Sequence, residues 1–353
     1  MEKILLTPGP CMTSAEVRQA ASFPDLNHRD PRYLDLVHEI KSRLMGLYPE
    51  IQNGWIPYLL GGSGTLAVEA MITSCIPHSE KPVLVLENGY YSQRIRDIFE
   101  VHRIPYRSLD HDWLNPWDFN RIESELETGP IAVIGTHNET TLGRLNDIGR
   151  LGNLCRQYKV SCLIDAMSSF CADPVPFEGI DALCSSANKC IHGIPGVSFV
   201  LVREEYSRNV MSSITGRSYY MHLPRYEGDN PPLTPPIPAM QAFCQALREV
   251  PEGEAIARGK NYEVKADLIR RSLSALGLSF AIPIEESSCT LTSVTIPKGF
   301  TWSEWFELNY EAGYVLYGCK EGLRDQFFQV SNMGEVSVDA IASWLEFVKQ
   351  SIK

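Results

Sequence analysis

The sequence predicts an α/β protein with a mostly parallel sheet in a large domain, followed by a small C-terminal α+β domain. Two observations predict it. From about Gly54 to Val202, short β-rich runs alternate with amphipathic, helix-like stretches. From about residue 254 onward, strands and helices come in shorter mixed units. Continuous apolar strands separated by helices indicate a sheet covered on both faces.

The β-rich runs are Trp55–Leu60, Pro82–Glu87, Ile131–Gly135, Cys162–Asp165, Ala182–Ser185 and Val197–Val202. Between them the patterns over Thr65–Ser74, Ser92–Glu100 and Asn146–Tyr158 predict helices. Residues 217–237 are rich in Tyr, Pro and charge and predict a long excursion. Helices are expected over Ala239–Val250 and Glu254–Leu276. Strands over Thr290–Ile296 and Tyr314–Tyr317 follow, then helices around Ser303–Ala312 and Val338–Ile352. This divides the chain into an N-terminal arm (1–20), a large domain (21–253) and a small domain (254–353), with the arm lying against one or both domains.

Composition narrows the function. The 353 residues are 44% hydrophobic and 21% charged, an ordinary globular balance. No run of about twenty apolar residues occurs, and the N-terminal segment has no signal-like apolar stretch, so a cytoplasmic protein is expected. The formal net charge of −11 argues against general nucleic-acid binding. Ten cysteines are scattered singly, without a Cys-x-x-Cys pair or histidines at zinc-ligand spacing. Buried free thiols are expected, and no metal.

Four segments carry chemistry. Gly61-Gly62-Ser63-Gly64-Thr65 lies between a strand and a helix, where freed backbone N–H groups and two hydroxyls suit a phosphate. A tight turn with Ser63 or Thr65 as N-cap accounts for the same residues. So does the dinucleotide pattern G-x-G-x-x-G/A over Gly62–Ala67, with Glu87 as a ribose acid. Asp165 ends a strand at the sheet edge where ligands gather, and a carboxylate there keeps a heterocyclic nitrogen protonated; capping a turn is the plainer role. Lys189 stands among small and polar residues, where desolvation favours the neutral amine needed for a Schiff base. A surface lysine is the bland alternative. Ser186 adds a hydroxyl for a phosphate. The fourth segment, Asn88–Arg94, offers an aromatic side chain either for stacking on a flat ring or for core packing.

Taken in this order, and from Leu5-Leu6-Thr7-Pro8-Gly9-Pro10 to Gly334-Glu335-Val336, these segments resemble the fold-type I, class V aminotransferases. The 2-aminoethylphosphonate–pyruvate and alanine–glyoxylate (serine–pyruvate) branches are nearest. The resemblance implies pyridoxal 5'-phosphate (PLP) and a seven-stranded type of sheet in the large domain. It assigns Ser63, Gly64 and Thr65 to the phosphate turn, Tyr91 and Met167 to the ring faces, and Thr141 to the ring hydroxyl. Asp165 then pairs with the ring nitrogen, Asn188 contacts the phosphate, and Lys189 is the Schiff-base lysine and general base. Thr234 would reach the phosphate of a partner's cofactor, which implies a homodimer with composite sites.

The implied reaction moves an amino group from a small amine, 2-aminoethylphosphonate-like or an amino acid, to an oxo acid such as pyruvate or glyoxylate. One departure concerns the substrate: Gln329 stands where the family carries an arginine for the substrate's acid group. Arg29, Arg217, Lys320 or Arg324 are the alternative cations. Other PLP chemistry on this fold (a lyase, epimerase or desulfurase) is the alternative reading. A nicotinamide-dependent dehydrogenase is more remote, since it leaves Asp165, Lys189 and Thr234 unexplained. Donor, acceptor and pathway are not legible in the sequence.

Overall fold

The computed structural model describes residues 3–251 and 253–352. Met1, Glu2, Glu252 and Lys353 lie outside it, including the outermost residues of the expected arm. Seven strands build the central sheet: β1 (Trp55–Gly61), β2 (Val83–Glu87), β3 (Tyr106–Asp110), β4 (Ala132–Thr136), β5 (Ser161–Asp165), β6 (Ala182–Ser186) and β7 (Val197–Arg203). Their order is β1-β7-β6-β5-β4-β2-β3. The neighbours from β6 to β3 pair in parallel, and β7 runs antiparallel to both β1 and β6.

The inner strands are largely apolar because both faces are covered. Leu84, Leu86, Val133, Ile164, Leu183 and Leu201 enter one hydrophobic core, while Val83, Val85, Ile134, Leu163, Ala182 and Val200 enter another. Alternate residues of one strand thus feed opposite layers, as the two-residue period of a strand requires. The apolar runs of the sequence mark six of these strands. The seventh, β3, sits at the sheet edge and buries only Leu109 among its five residues, so its polar sequence carries no such signal.

Helices Gly64–Cys75, Tyr90–His102 and Ile148–Tyr158 lie close to the patterns that predict them. Pro31–Gly46 and Phe119–Glu127 are further helices that the pattern reading does not mark. Between 217 and 236 the chain makes only the short 3-10 turn Leu223–Tyr226 before helix Ile237–Arg248 begins.

Toward the C-terminus, strands β8 (Leu291–Thr295), β9 (Tyr317–Gly318) and β10 (Phe327–Ser331) form an antiparallel sheet in the order β8-β10-β9. Its core combines Val294, Phe328 and Val330 with Ile269, Trp305 and Trp344 from three helices, and with Leu6 from the N-terminal arm. Ile4–Leu5 pairs in parallel with Tyr314–Val315, and Ser331 N donates to Leu6 O at 3.0 Å. The arm is therefore fastened to the C-terminal layer before it runs on, through Pro8–Pro10, to the edge of the large sheet.

Candidate active site

Lys189 lies in the turn that joins β6 to β7, and its backbone is held from three sides. His192 N donates to Lys189 O at 3.0 Å, and Cys11 Sγ approaches the same oxygen at 3.3 Å. Arg258 donates to the carbonyls of Cys190 and Ile191 at 3.1 and 2.9 Å. The amine itself donates to Pro8 O at 2.5 Å. Burial pushes the amine below its ordinary range, because the ammonium loses water, and the opposing charges of Cys190, Cys11 and Asp165 do not make up for it. A lysine whose ammonium is disfavoured in this way has more of the neutral amine that nucleophilic and base chemistry requires.

Asp165 closes β5 and is 6% exposed. Met167 N donates to its Oδ1 at 2.9 Å. Burial pushes the carboxyl up to about 6, and the charge of Glu139 adds to the rise; Arg94 and Lys189 oppose it. The group is poised to ionise fully once a cation meets it.

Lys189 and Asp165 face one cavity of ≈ 360 Å³. Ser63, Gly64, Thr65, Tyr91, Met167, Ser186 and Asn188 line it with them. The turn before helix Gly64–Cys75 has no room for a side chain: a Cβ on Gly64 would stand 2.3 Å from Met167 Sδ. Ser63 is the N-cap by position, yet its hydroxyl makes no capping bond, which leaves the first N–H groups of the helix to another acceptor. Three buried polar atoms of the wall have no partner within the protein: Ser186 Oγ, Thr136 Oγ1 and Asn138 Oδ1. Buried polar groups ordinarily find partners, so these three mark where a ligand supplies them.

Other residues singled out in the sequence lie elsewhere. Thr141 is not on the cavity wall: its hydroxyl donates to Glu139 Oε1 at 2.6 Å and accepts from Tyr90 N at 2.7 Å. Its neighbour Thr140 takes the wall position, bonded to Ser168 Oγ at 2.7 Å. Consecutive residues face opposite ways here, so a shift of one in matching the segment exchanges the two. Gln329 is buried in β10 and spends its amide hydrogens on Thr140 O and Thr141 O. Arg29 and Arg324 are exposed, and Arg217 is bonded to Ile76 O and Pro77 O beyond the far end of helix Gly64–Cys75. Lys320 sits over the rings of Tyr90 and Tyr317 at 5.7 and 4.5 Å. Thr234 is exposed and borders a separate small cavity. All ten cysteines are free and buried.

Two residues of the site carry no motif of their own. Glu139 is 1% exposed and accepts from Ser92 N at 3.0 Å, Thr141 N at 3.1 Å and Tyr91 N at 3.3 Å. It fixes the start of helix Tyr90–His102, and a carboxylate there also meets the positive end of the helix. Arg94, one turn further along that helix, enters the cavity with its guanidinium 4.9 Å from the Tyr91 ring centre and Nη1 3.0 Å from Thr65 Oγ1. Tyr91 and Arg94, three residues apart, share one face of that helix.

The class-V aminotransferase family model matches residues 62–305. A 2-aminoethylphosphonate–pyruvate transaminase of Salmonella schwarzengrund is 32% identical, with the match covering 99% of this chain and 97% of that protein. An alanine–glyoxylate aminotransferase of Nostoc sp. shares the fold with a TM-score of 0.92 at 24% identity, covering 100% of this chain and 96% of the other. A pyridoxamine–pyruvate aminotransferase of Mesorhizobium loti does so with a TM-score of 0.90 at 20% identity, covering 99% and 92%.

Proposed function

This chain belongs to the class-V aminotransferases and is a PLP-dependent enzyme of fold type I; from that premise we propose its substrates and the duties of its residues. The amino donor is a small primary amine, 2-aminoethylphosphonate or an amino acid, and the acceptor is an oxo acid such as pyruvate or glyoxylate. The 32% relative, named for aminoethylphosphonate and pyruvate, supports this choice.

The residues present fit the cofactor. Its phosphate finds the uncapped helix start at Ser63–Thr65 and the orphaned Ser186 hydroxyl, with Asn188 beside them. Tyr91 and Met167 would flank its ring, and Thr136, Asn138 and Thr140 would meet its polar edge. When bound, it supplies an electron sink for the bonding pair released at the substrate carbon. Asp165 holds a positive charge at the ring nitrogen, which draws the carboxyl back toward its ordinary range. Lys189 would anchor the cofactor through Nζ, and its amine, when free, would carry a proton away from the substrate carbon. The bond from Lys189 Nζ to Pro8 O fixes where that amine sits.

We also infer a homodimer in which Thr234 serves the partner's cofactor. Its exposure on the proline-rich segment, off its own cavity, supports that reading. The separate core of the C-terminal layer supports a domain division at about residue 254. No helix among the described residues is long and apolar enough to cross a membrane. Ten buried free thiols support a cytoplasmic location.

The observation that carries the proposal is the convergence of Lys189 and Asp165 on one cavity whose orphaned polar atoms match a phosphorylated, hydroxylated ring. The test mixes enzyme with candidate amines in the absence of an acceptor and follows the absorbance of bound cofactor. Stoichiometric conversion to the aminated cofactor by an aminophosphonate or amino acid identifies the donor. Release of an unsaturated product, sulfide or the opposite enantiomer, with no aminated cofactor, would put other chemistry in its place.

A further inference from the structure

We propose that Arg94 is the counter-charge for the cofactor's phosphate, a duty that neither the phosphate-turn motif nor the sequence resemblance assigns to it. The proposal rests on the cofactor site described above. Four observations lead to it.

Arg94 is the cation of the cavity other than Lys189, whose amine is committed to anchoring the cofactor. Among the described residues no carboxylate forms an ion pair with Arg94, although it is partly buried. Asp165 on the same cavity feels its charge without pairing with it, so a guanidinium that lacks an ion-pair partner there favours an anion within reach. Its hydrogen-bond partner in the protein is Thr65 Oγ1, on the helix start that offers free N–H groups, and not a residue of the opposite Asn138–Thr140 wall. The guanidinium is also held against the Tyr91 ring at 4.9 Å, which restricts its swing at the cavity wall.

Charge accounting points the same way. A phosphate ester brings close to two negative charges, and hydroxyls with one helix start spread that charge without neutralising it. Arg29 and Arg324 are exposed, and Arg217 is tied to backbone carbonyls beyond the far end of the helix. Arg94 is the remaining arginine placed to meet the phosphate, and its planar fork suits two oxygens at once. The substrate's acid group would then need a cation outside this wall, and Lys320, over the ring of Tyr90 beside Tyr91, is a candidate.

The test compares PLP with pyridoxal, which lacks the phosphate, on the full-length protein freed of cofactor. Titrations followed by the absorbance of the bound chromophore are run on wild type, Arg94→Met and Arg94→Lys. Arg94→Met is expected to weaken PLP by about 30-fold or more, the scale of a charge-assisted hydrogen-bond pair. Its affinity for pyridoxal should stay within about twofold of wild type. Inorganic phosphate added with pyridoxal should raise occupancy in wild type and not in Arg94→Met. Arg94→Lys should recover part of the loss. Equal losses for PLP and pyridoxal would overturn the proposal by assigning Arg94 to the shape of the pocket. Unchanged PLP binding with weakened aminoethylphosphonate would overturn it by making Arg94 the substrate's cation. Borohydride trapping on wild type separates the two levels: no label on Lys189 with either compound sinks the anchoring role, whatever Arg94 does. If Arg94→Met fails to fold, Arg94→Lys decides, since a selective loss for PLP is expected there too.

Discussion

Gln329 Nε2 donates to Thr140 O at 2.6 Å and to Thr141 O at 2.8 Å, so one side-chain amide of the small sheet holds the loop that walls the cavity. The amide is 2% exposed, and both carbonyls it serves lie on buried residues. Gln329→Leu leaves two carbonyls without a donor and is expected to cost about 2–3 kcal/mol. Gln329→Arg supplies donors but puts a full charge where a buried neutral amide stood, so it too should destabilise and bring no gain in turnover. Urea unfolding and steady-state rates of both variants check this. A Gln329→Arg enzyme that is as stable as wild type and faster on aminophosphonates would return the residue to a substrate-binding role.

Asp165 links stability to pH. Burial holds its carboxyl at about 6, above the ordinary aspartate value of 3.8. An acid raised in the folded state adds stability below its unfolded value and loses that contribution as pH rises through the folded value. In the cofactor-free enzyme this group is expected to cost about 2–3 kcal/mol between about pH 4 and about pH 7. Asp165→Asn removes the cost, so the variant should gain on wild type as pH rises while losing amino transfer by orders of magnitude. Unfolding midpoints at the two pH values give the answer, and a mutant-minus-wild-type difference independent of pH would refute it.

Glu139 organises the helix that carries Tyr91 and Arg94. Replacing it by Gln exchanges one acceptor oxygen for a donor that faces the N–H groups of Tyr91, Ser92 and Thr141. The expected loss is about 1.5–3 kcal/mol, as for hydrogen bonds to a charged group. Weaker PLP binding should accompany it, because both cavity side chains hang from that helix start. Chemical unfolding and a PLP titration on the same preparation measure the two effects. Unfolding and binding like those of wild type would reduce Glu139 to a bystander.

The sequence and the structure agree best where chemistry is local. Ser63–Thr65, Asp165 and Lys189 each sit at a strand end, and a strand followed by a turn is visible in a single stretch of chain. The edge strand Tyr106–Asp110 escapes because one exposed side removes its apolar run. Thr140 and Thr141 are indistinguishable by type, and only the backbone decides which one faces the cavity. The tie from Gln329 to the Thr140 loop joins residues 189 and 188 positions apart, and the Lys189 bond to Pro8 spans 181. Nothing in either segment alone announces such partners. Arg94 lacked a signal for a different reason: a cation on an amphipathic helix ordinarily reads as solvent-facing.

Thr234 makes the assembly testable. Sedimentation equilibrium should show a dimer at working concentrations, and Thr234→Ala should weaken PLP without altering the fold of the isolated chain. A monomer with full activity, or a Thr234→Ala dimer with unchanged PLP affinity, would remove the composite site.

Gly9 and Lys189 form the tightest fit around the reactive amine. Gly9 has φ +103°, and a Cβ built there would stand 2.7 Å from Lys189 Cδ and 2.9 Å from Nζ. Gly9→Ala therefore carries two penalties: backbone strain of about 1–3 kcal/mol and displacement of the lysine chain. Gly277→Ala separates them, because Gly277 also has positive φ, +79°, but nothing within 4 Å of its Cβ. Both variants should melt lower than wild type, whereas the lysine-dependent effect belongs to Gly9→Ala alone. A displacement on the order of 1 Å at a reacting amine costs about a hundredfold in rate, so stopped-flow attachment of PLP should slow on that scale in Gly9→Ala and stay near wild type in Gly277→Ala. Equal attachment rates in the two variants would show that the arm strains the fold without aiming Lys189.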